Sequence, residues 1–106
     1  MSERRVISRA PILPERVRKI GADGFAFVPN RFLREGFFAS LRPNERALYL
    51  LLVLAGDRNG MSFYHYDTIS SLLEMPIDAY LAARNALIDM SLVAFDGTRL
   101  QVLSLP

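Results

Sequence analysis

The run from Ala47 to Ala55 constrains the fold more than any other part of the sequence, because nine consecutive residues there are apolar and none is charged. Pro43 is suited to the first turn of a helix, where an amide hydrogen would have no partner. A helix that is apolar on nearly every side is usually enclosed by other elements. We therefore predict a central helix that begins near Pro43, and a chain of 106 residues supplies one core around it.

A short strand and a second helix are predicted after the central helix. The segment from Gly56 to Gly60 ends the central helix, and Met61 to Tyr64 has the composition of a short strand. Asp67 or Thr68 can cap the second helix, and Pro76 ends it. The second helix is therefore predicted to be short.

A third helix is predicted from Pro76 or Ile77 to about Met90. At about 100° per residue, one side of it gathers the residues predicted to face the core, which are Tyr80, Ala83, Leu87 and Met90. Across the three helices, the leucines predicted to point inward are Leu50, Leu54, Leu72 and Leu87.

The pair Asp96-Gly97 lies between two apolar segments, Leu92 to Phe95 and Thr98 to Leu105. A type I′ turn needs two residues that tolerate positive φ, and Asp-Gly meets that need, so we predict a hairpin. The predicted order is then helix, short strand, helix, tight turn, helix and hairpin. This is the order of a winged helix-turn-helix domain, which is mainly α with a small β wing.

The residues before the central helix fall into two parts. Residues 1–28 contain prolines and glycines without a sustained period, which predicts an extended arm with at most one helical turn around Glu15 to Lys19. From Pro29 to Leu41 apolar residues recur at helical spacing, which predicts a leading helix that buries aromatic side chains. The predicted division is an arm over 1–28 and a winged-helix domain over 29–106.

The net charge of +2 hides an uneven distribution of charged residues. Within residues 1–20 two acidic residues stand against six basic ones, which are Arg4, Arg5, Arg9, Arg16, Arg18 and Lys19. Within residues 43–96 the balance is reversed, with seven acidic residues against three basic ones. The arm is therefore basic, and the predicted domain is acidic.

Several motifs within the predicted domain resemble those of a known family. The stretch DTISSLLEMP at Asp67 to Pro76, with Ala83 to Leu87 and DMSLV at Asp89 to Val93, resembles the helix-turn-helix of bacterial winged-helix proteins. Ahead of it, Val28 to Leu33 leads into LRPNE at Leu41 to Glu45. This lead-in is similar to the N-terminal domains of plasmid and phage replication initiators and primosome proteins, and to small helix-turn-helix proteins of mobile elements.

The resemblance implies that the third helix enters the major groove of double-stranded DNA while the wing contacts the backbone or the minor groove. On this chain the implied DNA-binding positions are Ile77, Asp78, Leu81, Ala82, Arg84 and Asn85, with Arg99 near the wing. Only Asn85 is a good base reader, because an Asn can pair with adenine. The chain departs from the family at the turn, where Glu74 and Pro76 stand instead of glycine followed by Ser or Thr.

Two functions stay open at the level of the sequence. One is DNA binding in transcription control, replication initiation or mobile-element maintenance in a bacterium, with the basic arm on phosphates. The other is an adaptor that binds protein through the third helix and uses no DNA. Ile77, Leu81 and Ile88 either widen the core contact or form a patch for a partner. If the arm does not contact phosphates, it is a solvated tail. Five phenylalanines either hold a homodimer together or, more simply, pack the leading helix on the domain: Phe25, Phe27, Phe32, Phe37 and Phe38.

No enzyme is predicted from this sequence. His65 is the single histidine and there is no cysteine, so no metal site or disulfide is expected. No glycine-rich phosphate loop, paired catalytic carboxylates or serine with a base at motif spacing is present, so no cofactor is expected either. The absence of cysteine, of a signal-peptide stretch and of a spanning apolar run favours a cytoplasmic protein with no membrane partner.

Overall fold

The computed structural model describes residues 8–106, so the predictions for Arg4 and Arg5 lie outside the described residues. Over this range the chain is mainly α-helical with one small antiparallel sheet, as predicted. A 3₁₀ turn at Pro14–Arg16 comes first. The elements that follow are α1 (Arg31–Arg34), α2 (Phe37–Ser40), α3 (Pro43–Ala55), β1 (Met61–Ser62), α4 (Tyr66–Leu72), α5 (Ile77–Asp89), β2 (Val93–Phe95) and β3 (Leu100–Val102).

Helix α3 is the predicted central helix, and it begins at the predicted residue. Pro43 occupies its first turn, and Glu45 Oε1 accepts a hydrogen bond of 3.0 Å from the backbone N–H of Arg42. This contact gives a partner to one N–H at the start of the helix. The residues that α3 buries are Leu48, Tyr49 and Leu52.

The prediction of which leucines point inward is wrong for three of the four. Leu50 and Leu54 of α3 are 57% and 62% exposed, and Leu72 of α4 is 58% exposed. At about 100° per residue Leu50 lies nearly opposite both Leu48 and Leu52, which take the core face. Because α3 is apolar on every side, its own pattern does not indicate which side its neighbours cover.

Helices α4 and α5 pack against each other, and α5 also packs on α3. Helix α4 begins at Tyr66 with His65 as its N-cap residue, two residues before the first predicted cap, Asp67. Its buried apolar residue is Ile69. Helix α5 spans Ile77–Asp89 and buries Tyr80, Ala83 and Leu87, with Met90 half-buried beyond its end, so its predicted core face is confirmed.

Strand β3 is the centre of the sheet, with β1 and β2 antiparallel on its two sides. Val93 of β2 pairs with Val102, and Met61 of β1 pairs with Gln101. The predicted strand over Met61 to Tyr64 is shorter than expected and ends at Ser62. The predicted hairpin is confirmed, and the sheet gains a third strand from β1.

The turn of this hairpin is not of type I′. Gly97 has a φ of +98°, but Asp96 does not have a positive φ, and four residues, Asp96 to Arg99, connect the strands. The Asp96 carboxylate accepts hydrogen bonds from the backbone N–H groups of Thr98 and Arg99, which stabilises this wider turn. The side chain of Asp96 therefore decides the turn geometry, which the Asp-Gly pair alone mispredicts.

The predicted leading helix is two short helices, because the chain turns at Gly36. Gly36 has a φ of +87°, a left-handed conformation that interrupts the helix and that glycine adopts without strain. Phe32 of α1 is buried and stacks on Tyr49 of α3 with ring centroids 4.7 Å apart. Arg31 donates hydrogen bonds to the carbonyl oxygens of Leu105 and Pro106, so α1 also contacts the C-terminus.

One cluster of buried apolar residues spans α1, α3, α4, α5 and the sheet, with Phe32 first and Leu100 last along the chain. Residues 8–30 contribute nothing to this cluster, because every residue in that range is exposed. We call residues 8–30 the arm and residues 31–106 the core domain. The 3₁₀ turn at Pro14–Arg16 agrees with the single helical turn expected in the arm.

Candidate nucleic-acid interface

The outer face of α5 is the surface opposite its buried residues. It contains the exposed residues Ile77, Asp78, Leu81, Ala82 and Asn85, which are the positions implied by the family resemblance. Ile77 is 44% and Leu81 is 38% exposed, while Ile88 is half-buried. Ile77 and Leu81 therefore leave part of their apolar surface uncovered on this side of α5.

The turn between α4 and α5 has Glu74 at the position where the family pattern has glycine. Glu74 has a φ of +51°, and it is one of two non-glycine residues with positive φ within residues 8–106. The backbone N–H of Met75 donates to the carbonyl of Ser70 at 2.9 Å, and that of Glu74 donates to Ser71 at 3.1 Å. These bonds close the turn around a residue whose conformation suits glycine better.

Arg84 is directed toward the hairpin. Its guanidinium carbon lies 4.4 Å from the centroid of the Phe95 ring at the end of β2, a cation–π geometry. The same guanidinium donates hydrogen bonds of 3.2 and 3.4 Å to Asn85 Oδ1. Since reading an adenine uses Oδ1 as well as the amide nitrogen, Asn85 can pair with a base only after this contact is broken.

Arg99, the predicted wing residue, is held by Asp96 in the loop of the hairpin. Asp96 Oδ2 accepts a hydrogen bond of 2.9 Å from Arg99 Nε. Asp96 Oδ1 accepts two more hydrogen bonds, one of 2.6 Å from the backbone N–H of Arg99 and one of 2.9 Å from the backbone N–H of Thr98. The backbone bonds, with the guanidinium, lower the pKa of Asp96 to about 2. The positive charge of Arg99 is thus accompanied by a carboxylate that stays ionised.

The arm contains the other predicted phosphate-contacting residues that the structure describes. Arg9, Arg16, Arg18 and Lys19 are exposed, and among the described residues none of them forms an ion pair. The arm does not cover the outer face of α5, because Ile77, Asp78 and Leu81 are exposed.

The charges on the two surfaces have opposite signs. The arm from residue 8 to residue 20 has four basic residues and one acidic residue. The region of α4 and α5, from residue 63 to residue 91, has four acidic residues, Asp67, Glu74, Asp78 and Asp89, and one basic residue, Arg84. Of these two surfaces, only the arm therefore has the charge to attract phosphate.

Two features of this surface were missed by sequence reasoning. The contact between Arg84 and Phe95 depends on how β2 packs beside α5, and no spacing rule relates these two residues. The exposed aromatic residues Phe63 and Tyr64 follow β1 in a segment predicted as strand, and the exposed Tyr66 begins α4. His65 is exposed at the N-cap position of α4, and its Nδ1 lies 2.8 Å from Asp67 Oδ1.

Comparisons of the chain with protein-family models, curated proteins and solved structures find no match. Within residues 8–106, no helix has both the length and the apolar content needed to cross a bilayer. The same residues contain no group of three or more His, Asp or Glu side chains placed to hold a metal ion. The interface must therefore be judged from its own geometry and charge.

Proposed function

We propose that this chain is a winged helix-turn-helix DNA-binding protein of the bacterial cytoplasm, acting in transcription control, replication initiation or mobile-element maintenance. The order of elements supports this: α3, β1, α4 and α5 are followed by the β2–β3 hairpin, and β3 pairs with β1. In this arrangement α4 and α5 form the helix-turn-helix, and the hairpin is the wing.

The observation that carries the proposal is the exposed basic arm attached to this domain. Double-stranded DNA attracts proteins mainly through its phosphates, and basic arms of other DNA-binding domains follow the backbone or enter the minor groove. Arg9, Arg16, Arg18 and Lys19 have the exposure and the charge for this role. Arg4 and Arg5 extend the same basic sequence outside the described residues.

The test is a salt series of fluorescence anisotropy on labelled duplex DNA with the full chain. Arg16→Ala combined with Arg18→Ala removes two arm cations, and Arg34→Ala combined with Arg58→Ala removes two exposed cations of the core domain as a matched control. Each lost phosphate contact lowers the slope of log affinity against log salt by about 0.9, so the arm variant should lose nearly 2. An unchanged slope in the arm variant and a lower slope in the control would contradict the role of the arm.

Base reading by α5 is tested separately with Asn85→Ala. On duplexes selected from a random library, the change should reduce discrimination against random DNA by about 1 to 3 kcal/mol. Asn44→Ala, an exposed Asn at the start of α3, is the control and should leave discrimination unchanged. Equal discrimination by wild type and Asn85→Ala would reject base reading by Asn85.

A second candidate is a winged-helix adaptor that binds protein through α5 and does not bind DNA. The acidic and apolar outer face of α5, with Ile77, Asp78 and Leu81 exposed, favours it. Because phosphate repels such a surface, the adaptor predicts no DNA binding by the full chain even at low salt. That result in the anisotropy series would replace the first proposal with the second.

A further inference from the structure

The first half of the outer face of α5 combines an apolar patch with acidic residues. Ile77 and Leu81 are four residues apart and therefore neighbours on the helix surface. Asp78 lies beside them, and Glu74 precedes them in the turn. We call Glu74, Ile77, Asp78 and Leu81 the acidic face.

No basic residue of the helix compensates the acidic face. Arg84, the one cation between residues 63 and 91, has its guanidinium stacked on Phe95 at the hairpin. Covering exposed leucine and isoleucine side chains with a partner is favourable, because apolar surface is removed from water. The carboxylates favour a partner with positive charge. The chemistry of this face therefore fits a segment that is both basic and apolar.

The arm has that composition. In the sequence Arg16-Val17-Arg18-Lys19-Ile20, cations stand beside β-branched apolar residues. Ile20 is 76% exposed and Val17 is 48% exposed, so their apolar surface lacks a partner within the described chain. The arm and the acidic face thus have opposite charges, and each has apolar surface left uncovered.

We propose that the arm of one copy docks on the acidic face of a second copy, and that the exchange is reciprocal. In the single chain the arm leaves its own acidic face exposed. The arm joins the core domain at α1, which is fixed on α3 by Phe32 and on the C-terminus by Arg31. A two-fold arrangement makes each contact twice, which suits a docking segment and its receptor that belong to the same chain. This inference is independent of DNA binding.

Sedimentation velocity of the full chain without DNA tests the proposal over a concentration series. We expect reversible dimerisation at about 0.05 M salt that weakens at about 0.5 M, because salt screens the charge pairs. A monomer at every concentration at low salt would overturn the proposal. A dimer that is equally stable at both salt concentrations would also overturn it, since charge would then not contribute.

Charge reversal in two full-length variants identifies the surfaces and shows whether docking occurs between copies. The arm-reversed variant combines Arg16→Glu with Arg18→Glu, and the face-reversed variant combines Glu74→Lys with Asp78→Lys. Each alone should dimerise at least about tenfold more weakly, since like charges meet in both homodimers. An equimolar mixture should form a heterodimer, because each arm then faces opposite charge on the other copy. A mixture that does not associate would overturn docking between copies.

The apolar part of the contact is tested with a matched pair of leucines. Leu81→Lys and Leu50→Lys make the same change at exposed positions on the outer sides of two helices of 13 residues. Leu81→Lys should weaken the dimer, Leu50→Lys should not, and the melting temperature of each variant reports whether it folds. A dimer weakened by Leu50→Lys but not by Leu81→Lys would indicate an interface on α3 and overturn the proposal. This pair stays informative even if the face-reversed variant folds poorly.

Discussion

The arm and the core domain use similar residue types in different environments. Ile12 of the arm is 96% exposed, whereas Ile69 of α4 is completely buried. Gly24 of the arm and Gly60 of the core domain have nearly the same φ, but only Gly60 lies against a strand, at Val102 of β3. The comparison teaches that the position of a residue relative to the packed elements, rather than its type, decides how much it contributes to stability.

The largest difference in stability loss between core-domain and arm substitutions is expected for apolar residues. Leu52→Ala should lower the free energy of unfolding by about 2 to 5 kcal/mol, because Leu52 is buried between α3 and its neighbours and its loss leaves a cavity. Ile20→Ala in the arm and Leu50→Ala on the outer side of α3 should each change it by less than about 0.5 kcal/mol. Urea unfolding followed by circular dichroism measures all three. A large loss with Ile20→Ala would show that the arm packs on the core domain.

The next largest difference in stability loss between the two regions is expected for glycine. A Cβ at Gly60 would lie 2.5 Å from the carbonyl oxygen of Val102, and the φ of +80° disfavours any side chain. Gly60→Ala should therefore cost about 2 to 4 kcal/mol, part from backbone strain and part from the displaced β3 strand. At Gly24, with a φ of +84°, no atom lies within 4 Å of the added Cβ.

Gly24→Ala is consequently the matched control for Gly60→Ala. It meets the same backbone preference, but in an arm that contributes no buried residue, so global unfolding should be unchanged within about 0.5 kcal/mol. Thermal melts of both variants measure the difference. Equal destabilisation would mean that positive φ alone, and not the contact with Val102, accounts for the cost at Gly60.

The sequence predicts the order of the elements better than it predicts which surfaces are buried. The helical spacing of Tyr80, Ala83 and Leu87 indicates the core face of α5. In α3 the apolar residues occupy every side, so spacing alone does not show that Leu50 and Leu54 point outward. The break at Gly36 was missed because the apolar spacing on both sides of it is helical. In the candidate site, the residues on the outer face of α5 were found, but the contact of Arg84 with Phe95 depends on tertiary packing.

The smallest difference in stability loss between the two regions is expected for aspartate, and its size depends on pH. Asp96 accepts three hydrogen bonds in the hairpin loop, and its pKa is lowered from the ordinary 3.8 to about 2. A carboxyl whose pKa is lower in the folded state stabilises that state above its unfolded pKa, and the stabilisation is lost as the pH falls from about 4 to about 2. Asp96→Asn removes the titrating charge and should therefore lower the melting temperature near neutral pH.

The difference in melting temperature between wild type and Asp96→Asn should narrow as the pH falls below about 4 and become small near pH 2. At that pH the wild-type carboxyl is protonated in the unfolded state and about half protonated in the folded state. Comparing the two chains at each pH cancels the titration of the other carboxyls, including Asp67, whose pKa is lowered chiefly by its hydrogen bond to His65. Asp23→Asn in the arm is the matched control. It should leave the melting temperature unchanged at every pH, because Asp23 lies in a segment without buried residues. A gap for Asp96→Asn that stays constant from pH 7 to pH 2 would mean that hydrogen-bond geometry, and not the ionised charge, stabilises the hairpin loop.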